Sequence, residues 1–452
     1  MIVFEWILKI ALYIGNAWMA ILLGYNLYLS LFGFQKGKKT YGDQAPEARF
    51  LILVPAHNEQ DVITGMVENL NALSYPKELY DFFIVADNCT DHTARIASEL
   101  GARVIETQKE NKDSPTGKPI ALKKALEGIP NYAEDYDLLM IFDADNLMDK
   151  NILREVNSQY ICEKEPEIIQ CYLGSKNNNG LVAMFYYVTY TITNRFMNLS
   201  KYRNGWNVAV GGTGFAIQTS YLKARGGWKT LSLTEDFEMQ IEVSLNGGRI
   251  LWNHNARIYD EKPTNLLASF RQRVRWSQGH WYVALKNTPK TMKAWSAGKI
   301  TFGEMLSMMT YMYSMAAPLI FVLLVLSNCV SFLYPYFYGN ALAAALDAAQ
   351  FAVKAGSNVN GLSRDILSIL PMIALFFYSF AILFWWAEKT DNKAKVKARQ
   401  APIILASYIL NLINVSAAQL AGLAKHRQQQ KWVKTKHKIQ GCETATSQLG
   451  KV

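Results

Sequence analysis

The sequence predicts an α/β domain with a mainly parallel sheet, joined to an α-helical membrane region. Three observations carry this reading. Apolar strand-like runs alternate with amphipathic helical runs through the middle of the chain, as they do in α/β domains. The apolar residues, 50% of the 452, bunch toward the two ends, while the middle has the composition of a soluble protein. Basic clusters stand directly beside the apolar runs, where the positive-inside rule places them.

The membrane elements come first along the chain. Residues 6–34 contain one lysine and no acid, and they exceed the ~20 apolar residues that a spanning helix needs. "QKGKK" follows at once, so 1–34 reads as a retained anchor with the next domain in the cytoplasm. Residues 305–334 and 366–386 read as two more spans, the latter followed by the basic linker "KTDNKAKVKARQ". Residues 401–424 are long enough for a fourth span but carry Ser407, Asn411, Asn414, Ser416 and Gln419. A full crossing there would put the basic tail 425–452 outside. With the tail inside, 401–424 is re-entrant, interfacial or packed within the bundle. The expected organisation is therefore 1–34 anchor, 45–285 cytosolic domain, 286–304 interfacial helix, 305–424 membrane region and 425–452 basic tail, in a multi-pass protein of the plasma membrane.

The formal net charge of +10 lies largely beside these boundaries, where anionic lipid attracts it, and nucleic acid binding is not required to explain it. Five cysteines (Cys89, Cys162, Cys171, Cys329, Cys442) form no CxxC pair and read as free thiols. The six histidines show no metal-ligand spacing.

In the middle domain, 50–59 ("FLILVPAHNE") is a buried strand ending in polar residues. Residues 80–86 form a second strand, with Asp87, Asn88 and Thr90 at its turn, and 136–146 ("YDLLMIFDADN") a third. Sites in such sheets lie at the carboxyl ends of the strands. No glycine-rich dinucleotide fingerprint follows any of the three, which argues against a nicotinamide or flavin enzyme.

Four short motifs are candidates for chemistry. Asp143 and Asp145 in "DAD" would point the same way in extended chain and face one divalent cation, or they are acids of a solvated turn. In "SLTEDFEM", Thr234 is placed to cap a helix whose first turn holds Glu235 and Asp236; these acids either act in a site or complement the helix dipole. Lys118 begins the helical "GKPIALKKAL", which otherwise is an ordinary amphipathic helix. In "FRQRVRWSQGHW", Gln272, Arg275 and Trp276 fall at i, i+3 and i+4 on one helix face, either as a site or as an interfacial helix.

Taken in order, Asp87 in "VADNCTD", "DAD", "TED" and "QRVRW" ahead of apolar segments resemble the processive branch of family 2 glycosyltransferases. These are the membrane synthases of cellulose, chitin, hyaluronan and poly-N-acetylglucosamine. The resemblance covers about residues 50–281 and the flanking spans. It implies a GT-A domain, a Rossmann-like nucleotide-binding sheet, carried on membrane helices.

The resemblance also assigns roles. Pro55, Ala56, Glu59 and Asp87 would hold the uridine of a UDP-sugar. Lys118, Asp143 and Arg275 would lie at the nucleotide or its diphosphate, and Asp145, with Asp143, would hold Mg²⁺ or Mn²⁺. Asp236 would be the catalytic base, with Thr234 and Glu235 beside it, in an inverting transfer. Gln272 and Trp276 would contact the acceptor, the growing polysaccharide, together with Gly212 and Thr213 of "GGTG". That loop stands where bacterial cellulose synthases carry FFCG, a departure that bears on cellulose as product. Trp432, Thr435 and Lys436 in "KWVKTK" resemble a gating loop that reaches the nucleotide, or belong to a solvated basic tail. No cyclic-di-GMP-binding RxxxR and PilZ extension is seen, and export partner proteins are compatible with the pattern.

Three functions follow as expectations. The first is polymerisation of a UDP-sugar, with UDP-glucose and a cellulose-like or mixed-linkage β-glucan leading and an N-acetylglucosamine polymer second. The second is transfer of one or a few sugars to a lipid. The third, a non-enzymatic scaffold, sits poorly with the intact Asp143, Asp145 and Asp236.

Overall fold

The computed structural model describes residues 2–36, 39–109, 111, 114–323, 374, 377–393 and 395–429. Parts of the expected spans, 324–334, 366–373 and 375–376, and the tail residues Trp432, Thr435 and Lys436 lie outside the described residues.

In chain order the strands are β1 (Phe50–Ala56), β2 (Tyr80–Asp87), β3 (Arg103–Thr107), β4 (Leu138–Ile141), β5 (Leu147–Met148), β6 (Ile168–Ser175), β7 (Phe215–Gln218) and β8 (Ile250–Asp260). The helices are α1 (Ile2–Gly33), α2 (Ile63–Asn71), α3 (Thr93–Glu99), α4 (Lys118–Glu127), α5 (Tyr132–Asp135), α6 (Ile152–Cys162), α7 (Gly180–Ile192), α8 (Ser200–Arg203), α9 (Thr219–Ala224), α10 (Glu235–Leu245), α11 (Leu266–Ser296), α12 (Phe302–Ser314), α13 (Phe384–Asp391) and α14 (Ala401–Ala424).

The strands form one sheet in the order β3-β2-β1-β4-β7-β6-β8-β5. The half formed by β3, β2, β1 and β4 is parallel, and β7 runs antiparallel to both of its neighbours. The sheet is thus mixed, where the strand-helix alternation alone predicts a mainly parallel one. Helices cover both faces, α2, α3 and α6 on one and α4, α9 and α10 on the other. That is why β1 and β4 read as unbroken apolar runs. The switch from parallel to antiparallel partners lies beside β4, whose carboxyl end leads into the DAD turn.

The apolar helices pack on this domain. The Arg195 guanidinium donates to the Gly33 carbonyl (2.8 Å) at the end of α1 and to Asp391 (2.6 Å) at the end of α13. Both charges of that ion pair are almost fully buried, so removing one would strand the other. α11 starts on an Asn265 cap and runs 31 residues without a break, so the expected boundary at 285/286 falls inside one helix.

The segment 401–424 is also an uninterrupted helix, which favours packing over re-entry. Its five polar residues, Ser407, Asn411, Asn414, Ser416 and Gln419, are buried, while Ile403, Ile409, Ile413 and Leu420 stand exposed. Among the described residues, one helix, Ala398–Ala424, is long and apolar enough to cross a membrane. There are two if α12 and Ala317–Leu323, bent by 60° at a short break, form one span.

Candidate functional site

The carboxyl ends of β1, β2 and β4, the starts of α4 and α10 and one face of α11 enclose a cavity of about 760 Å³. Every sequence-predicted site residue among the described ones lines it: Pro55, Ala56, Glu59, Asp87, Lys118, Asp143, Asp145, Gly212, Thr213, Thr234, Glu235, Asp236, Gln272, Arg275 and Trp276 all do.

At one end, two loops are tied together. Asn58 and Asn88 both adopt positive φ, and the Asn58 side-chain oxygen accepts from the Thr90 backbone N–H at 2.7 Å. Asp87 is buried, its Oδ1 accepting from Thr107 Oγ1 (2.9 Å) and Asn88 Nδ2 (2.7 Å). Its carboxylate is therefore held in one orientation at the cavity wall.

At the centre, β4 ends at Ile141, so Asp143 and Asp145 lie in the following turn and not in extended chain. The period-two expectation fails for that reason. The turn itself is well fixed: the Asp143 N–H donates to Thr213 Oγ1 (3.0 Å) and to Asn146 Oδ1 (3.1 Å). The Thr213 hydroxyl also donates to Asn146 Oδ1. Lys118 donates to Asp143 Oδ1 (2.5 Å) and to the Gly212 carbonyl (2.6 Å), joining α4, the DAD turn and the GGTG loop. Buried Gln170 of β6 secures that loop through the Thr213 and Gly214 carbonyls, both at 3.0 Å.

Gly212 has φ +77°, and a β-carbon there would fall 3.1 Å from Asp236 Oδ2. The glycine is needed both for the left-handed turn and for the approach of the acid. Thr234 occupies the cap position of α10, but its hydroxyl makes no capping bond, against expectation.

The charges are strongly coupled. Burial, with Asp236 adjacent, pushes Glu235 up to about 8, and burial also raises Asp236. Burial works against the Lys118 cation, yet Asp143, Glu235 and Asp236 together hold its pKa above the usual lysine value. Burial lowers Arg275 against the pull of Glu235, Asp143 and Asp236. Burial, and then Asp145 and Asp143 opposed by Lys262, raise Asp260.

These are the electrostatics of a pocket with excess carboxylate, short of countercharge. Among the described residues no group of three or more His, Cys, Asp or Glu is arranged to hold a metal ion. Two carboxylates suffice where a cation is shared with phosphate oxygens, and Asp143 with Asp145 fits that donor set.

At the far end, Gln272, Arg275 and Trp276 of α11 face the cavity together with Tyr186, Tyr190 and Tyr311. Gln429 lines it too, accepting from the Leu233 N–H at 3.0 Å just ahead of α10. Asn146, Gln170, Tyr186 and Asp260 were not singled out from sequence. Asn146 is the one with a local signal, as the residue that follows DAD.

Residues 46–279 match the family described as Glycosyltransferase like family 2. The chain is similar to the probable glycosyltransferase YdaM of Bacillus subtilis, 27% identical over 293 residues, covering 59% of this chain and 65% of that one. It is also similar to the beta-monoglucosyldiacylglycerol synthase of Nostoc sp. (26% over 282 residues; 58% and 55%). A third relative is the poly-beta-1,6-N-acetyl-D-glucosamine synthase of Staphylococcus aureus MSSA476 (25% over 248 residues; 53% and 57%). The chain thus spans less than two thirds of the length of these relatives. In fold it resembles the mannosyltransferase PcManGT of Pyrobaculum calidifontis, solved with GDP-mannose and Mn²⁺, at a TM-score of 0.52 and 16% identity, covering 82% of this chain and 98% of that one.

Proposed function

The chain belongs to the glycosyltransferase-like family 2, and from that premise we propose that it is an inverting hexosyltransferase that draws a sugar from a UDP-sugar and adds it to an acceptor hydroxyl. The observation that supports this most is the meeting in one cavity of Asp87, the DAD turn, the start of α10 and the Gln272–Trp276 face of α11, which are up to 189 residues apart (276 − 87).

Asp87 and the Pro55–Glu59 loop bind the nucleoside. Lys118 and Arg275 balance the diphosphate, and Asp143 and Asp145 would hold Mg²⁺ or Mn²⁺. That cation, when bound, stabilises the charge that grows on the leaving UDP. Asp236, raised by burial yet open to the cavity, takes the proton from the acceptor hydroxyl as its oxygen attacks C1 from the face opposite UDP. The C1–O bond to UDP breaks as the new glycosidic bond forms, and an α-linked donor gives a β-linked product. Trp276 offers the acceptor sugar an apolar face, and Gln272 a hydrogen bond.

The finer reading is a processive synthase at the plasma membrane, catalytic domain inside, that makes a β-linked polysaccharide from UDP-glucose and passes it across the bilayer. The cavity supports it by reaching Met315, at the break between α12 and the helix Ala317–Leu323. Gln429 at the cavity supports a gating role for the tail residues Trp432, Thr435 and Lys436 that follow it. A second reading, transfer to a lipid, is favoured by the similarity to glucosyldiacylglycerol synthases and by the exposed apolar residues of α14.

The test is UDP release by detergent-purified protein given UDP-glucose, UDP-N-acetylglucosamine, UDP-galactose or UDP-glucuronate in turn with Mg²⁺ or Mn²⁺. Metal-dependent release that Asp236→Asn abolishes supports the transferase. Product length separates polymer from glycolipid. Release from no donor, with a sugar polymer and diacylglycerol both supplied, refutes it.

A further inference from the structure

Tyr186 lies in α7, on an element without any recognised motif, and it is 2% exposed. Its hydroxyl donates to Gln272 Oε1 at 2.9 Å and lies 3.1 Å from Ser269 Oγ. Its ring meets Trp276 edge to face, with centroids 6.2 Å apart, and the Arg273 guanidinium stands 4.4 Å from the ring centre. Ser269 Oγ in turn accepts from Asn414 Nδ2 of α14 at 3.3 Å. One buried side chain therefore touches Gln272, Arg273 and Trp276, and it is two hydrogen bonds, through Ser269, from the apolar helix α14.

We propose that Tyr186 is the positioning residue for the acceptor end of the cavity, and that through Ser269 it ties that end to Asn414. This rests on the reading that Gln272 and Trp276 contact the acceptor. Glutamine on a half-exposed helix face samples many rotamers, and each must be given up when an acceptor binds. The Tyr186 hydroxyl removes that freedom in advance. With its oxygen occupied, Gln272 presents its amide nitrogen, so it serves acceptors that offer a hydroxyl oxygen. The edge contact fixes the tilt of the Trp276 ring, and an apolar platform is specific only when its tilt is fixed. Tyr186 itself performs no chemistry; it acts through its three neighbours. The Asn414 link means that the seating of α14 on α11 bears on how the acceptor is held.

The experiment uses the full chain in detergent, with Tyr186→Phe, Gln272→Ala and the double variant. UDP release is measured with UDP-glucose and cellobiose and with UDP-N-acetylglucosamine and chitobiose, varying donor and acceptor separately. Tyr186→Phe is expected to raise the acceptor KM about ten-fold and leave the donor KM within about two-fold, because one hydrogen bond to the acceptor-binding side chain is lost. Added to Gln272→Ala, it should change the acceptor KM by less than about two-fold. An unchanged acceptor KM in Tyr186→Phe, equal losses for both substrates, or multiplying effects in the double variant each overturn the proposal. If the wild type transfers from neither donor to these saccharides, the sugar-acceptor reading of Gln272 and Trp276 fails and thermal unfolding of the same set decides. Tm losses that add show no Tyr186–Gln272 link and overturn the proposal, while losses that do not add uphold the link.

Discussion

Gly279 of α11 lies against Thr234 backbone to backbone: a β-carbon on Gly279 would fall 2.6 Å from Thr234 Oγ1 and 2.7 Å from the Thr234 nitrogen. Thr234 immediately precedes Glu235 and Asp236, and Gly279 lies one turn beyond Trp276. The absence of one side chain thus sets the distance between the acids at the start of α10 and the Gln272–Trp276 face of α11. Gly279→Ala must push α10 and α11 apart, since the Thr234 nitrogen is backbone and cannot rotate away. The expected cost is about 1–3 kcal/mol of stability, as for overpacking elsewhere. UDP release should fall by more than about ten-fold, because misplacement of a base from its acceptor is costly. Thermal unfolding and turnover check the two separately, and wild-type turnover in Gly279→Ala would show that the spacing does not matter.

Glu235 predicts a pH dependence of stability. Its pKa is raised from 4.5 to about 8 in the folded protein by burial and by Asp236. The folded state therefore holds this proton more tightly than the unfolded state does. Stability from this group is fully present below pH 4.5 and is lost as pH rises toward about 8. Without nucleotide or divalent cation, Tm should fall across that window, and Glu235→Gln should flatten the slope. A slope unchanged in Glu235→Gln would assign the effect to other groups.

Lys118 bonds to Asp143 and also holds the Gly212 carbonyl. Lys118→Met removes a charge from a pocket rich in carboxylates and frees the loop beside Asp236. Donor KM should rise by about ten-fold or more, since a charge-assisted contact to diphosphate is lost along with the loop anchor. Acceptor KM should change less. Titration with UDP and Mg²⁺ measures the donor side directly, and an unaltered UDP affinity would remove Lys118 from the diphosphate site.

Much of this was legible from the chain, and the exceptions have physical causes. β1 and β2 fall where buried apolar runs predict them, because both faces of the sheet are covered and the strands carry no polar alternation. Asp143 and Asp145 are legible by residue type but not by geometry: β4 is four residues long and ends at Ile141, before the first acid. Tyr186 was invisible because "FYYVTY" on a helix looks like core packing, and its partners lie 83 and 86 residues away. The polar residues of α14 had an ambiguous meaning by sequence alone. Burial against α11 and α7 resolves it, since Gln419, Asn414 and Asn411 bond to Ser277, Ser269 and the Leu181 carbonyl.

That same helix pair gives a last prediction. At Gly422 a β-carbon would fall 2.2 Å from Ser277 Oγ and 2.9 Å from the Gln278 nitrogen, so α14 and α11 touch as closely here as small residues allow. One turn earlier, Gln419 Oε1 accepts from Ser277 Oγ (2.8 Å) and from Trp281 Nε1 (3.1 Å). Gly422→Leu attacks the close approach and Gln419→Leu attacks the hydrogen bonds, so the two variants separate shape from polarity. Gln419→Leu leaves the half-buried Trp281 indole N–H without its acceptor and the buried Ser277 hydroxyl with only the Gln419 carbonyl at 3.5 Å, and should cost about 1–3 kcal/mol. Gly422→Leu should cost as much or more, because backbone must move. Both variants should lower Tm in detergent, and Gly422→Leu should also lower turnover, because Ser277 and Gln278 directly follow Trp276. A Gly422→Leu protein with wild-type Tm and turnover would mean that α14 does not seat on α11 in this way, and it would also break the path from Asn414 to Tyr186.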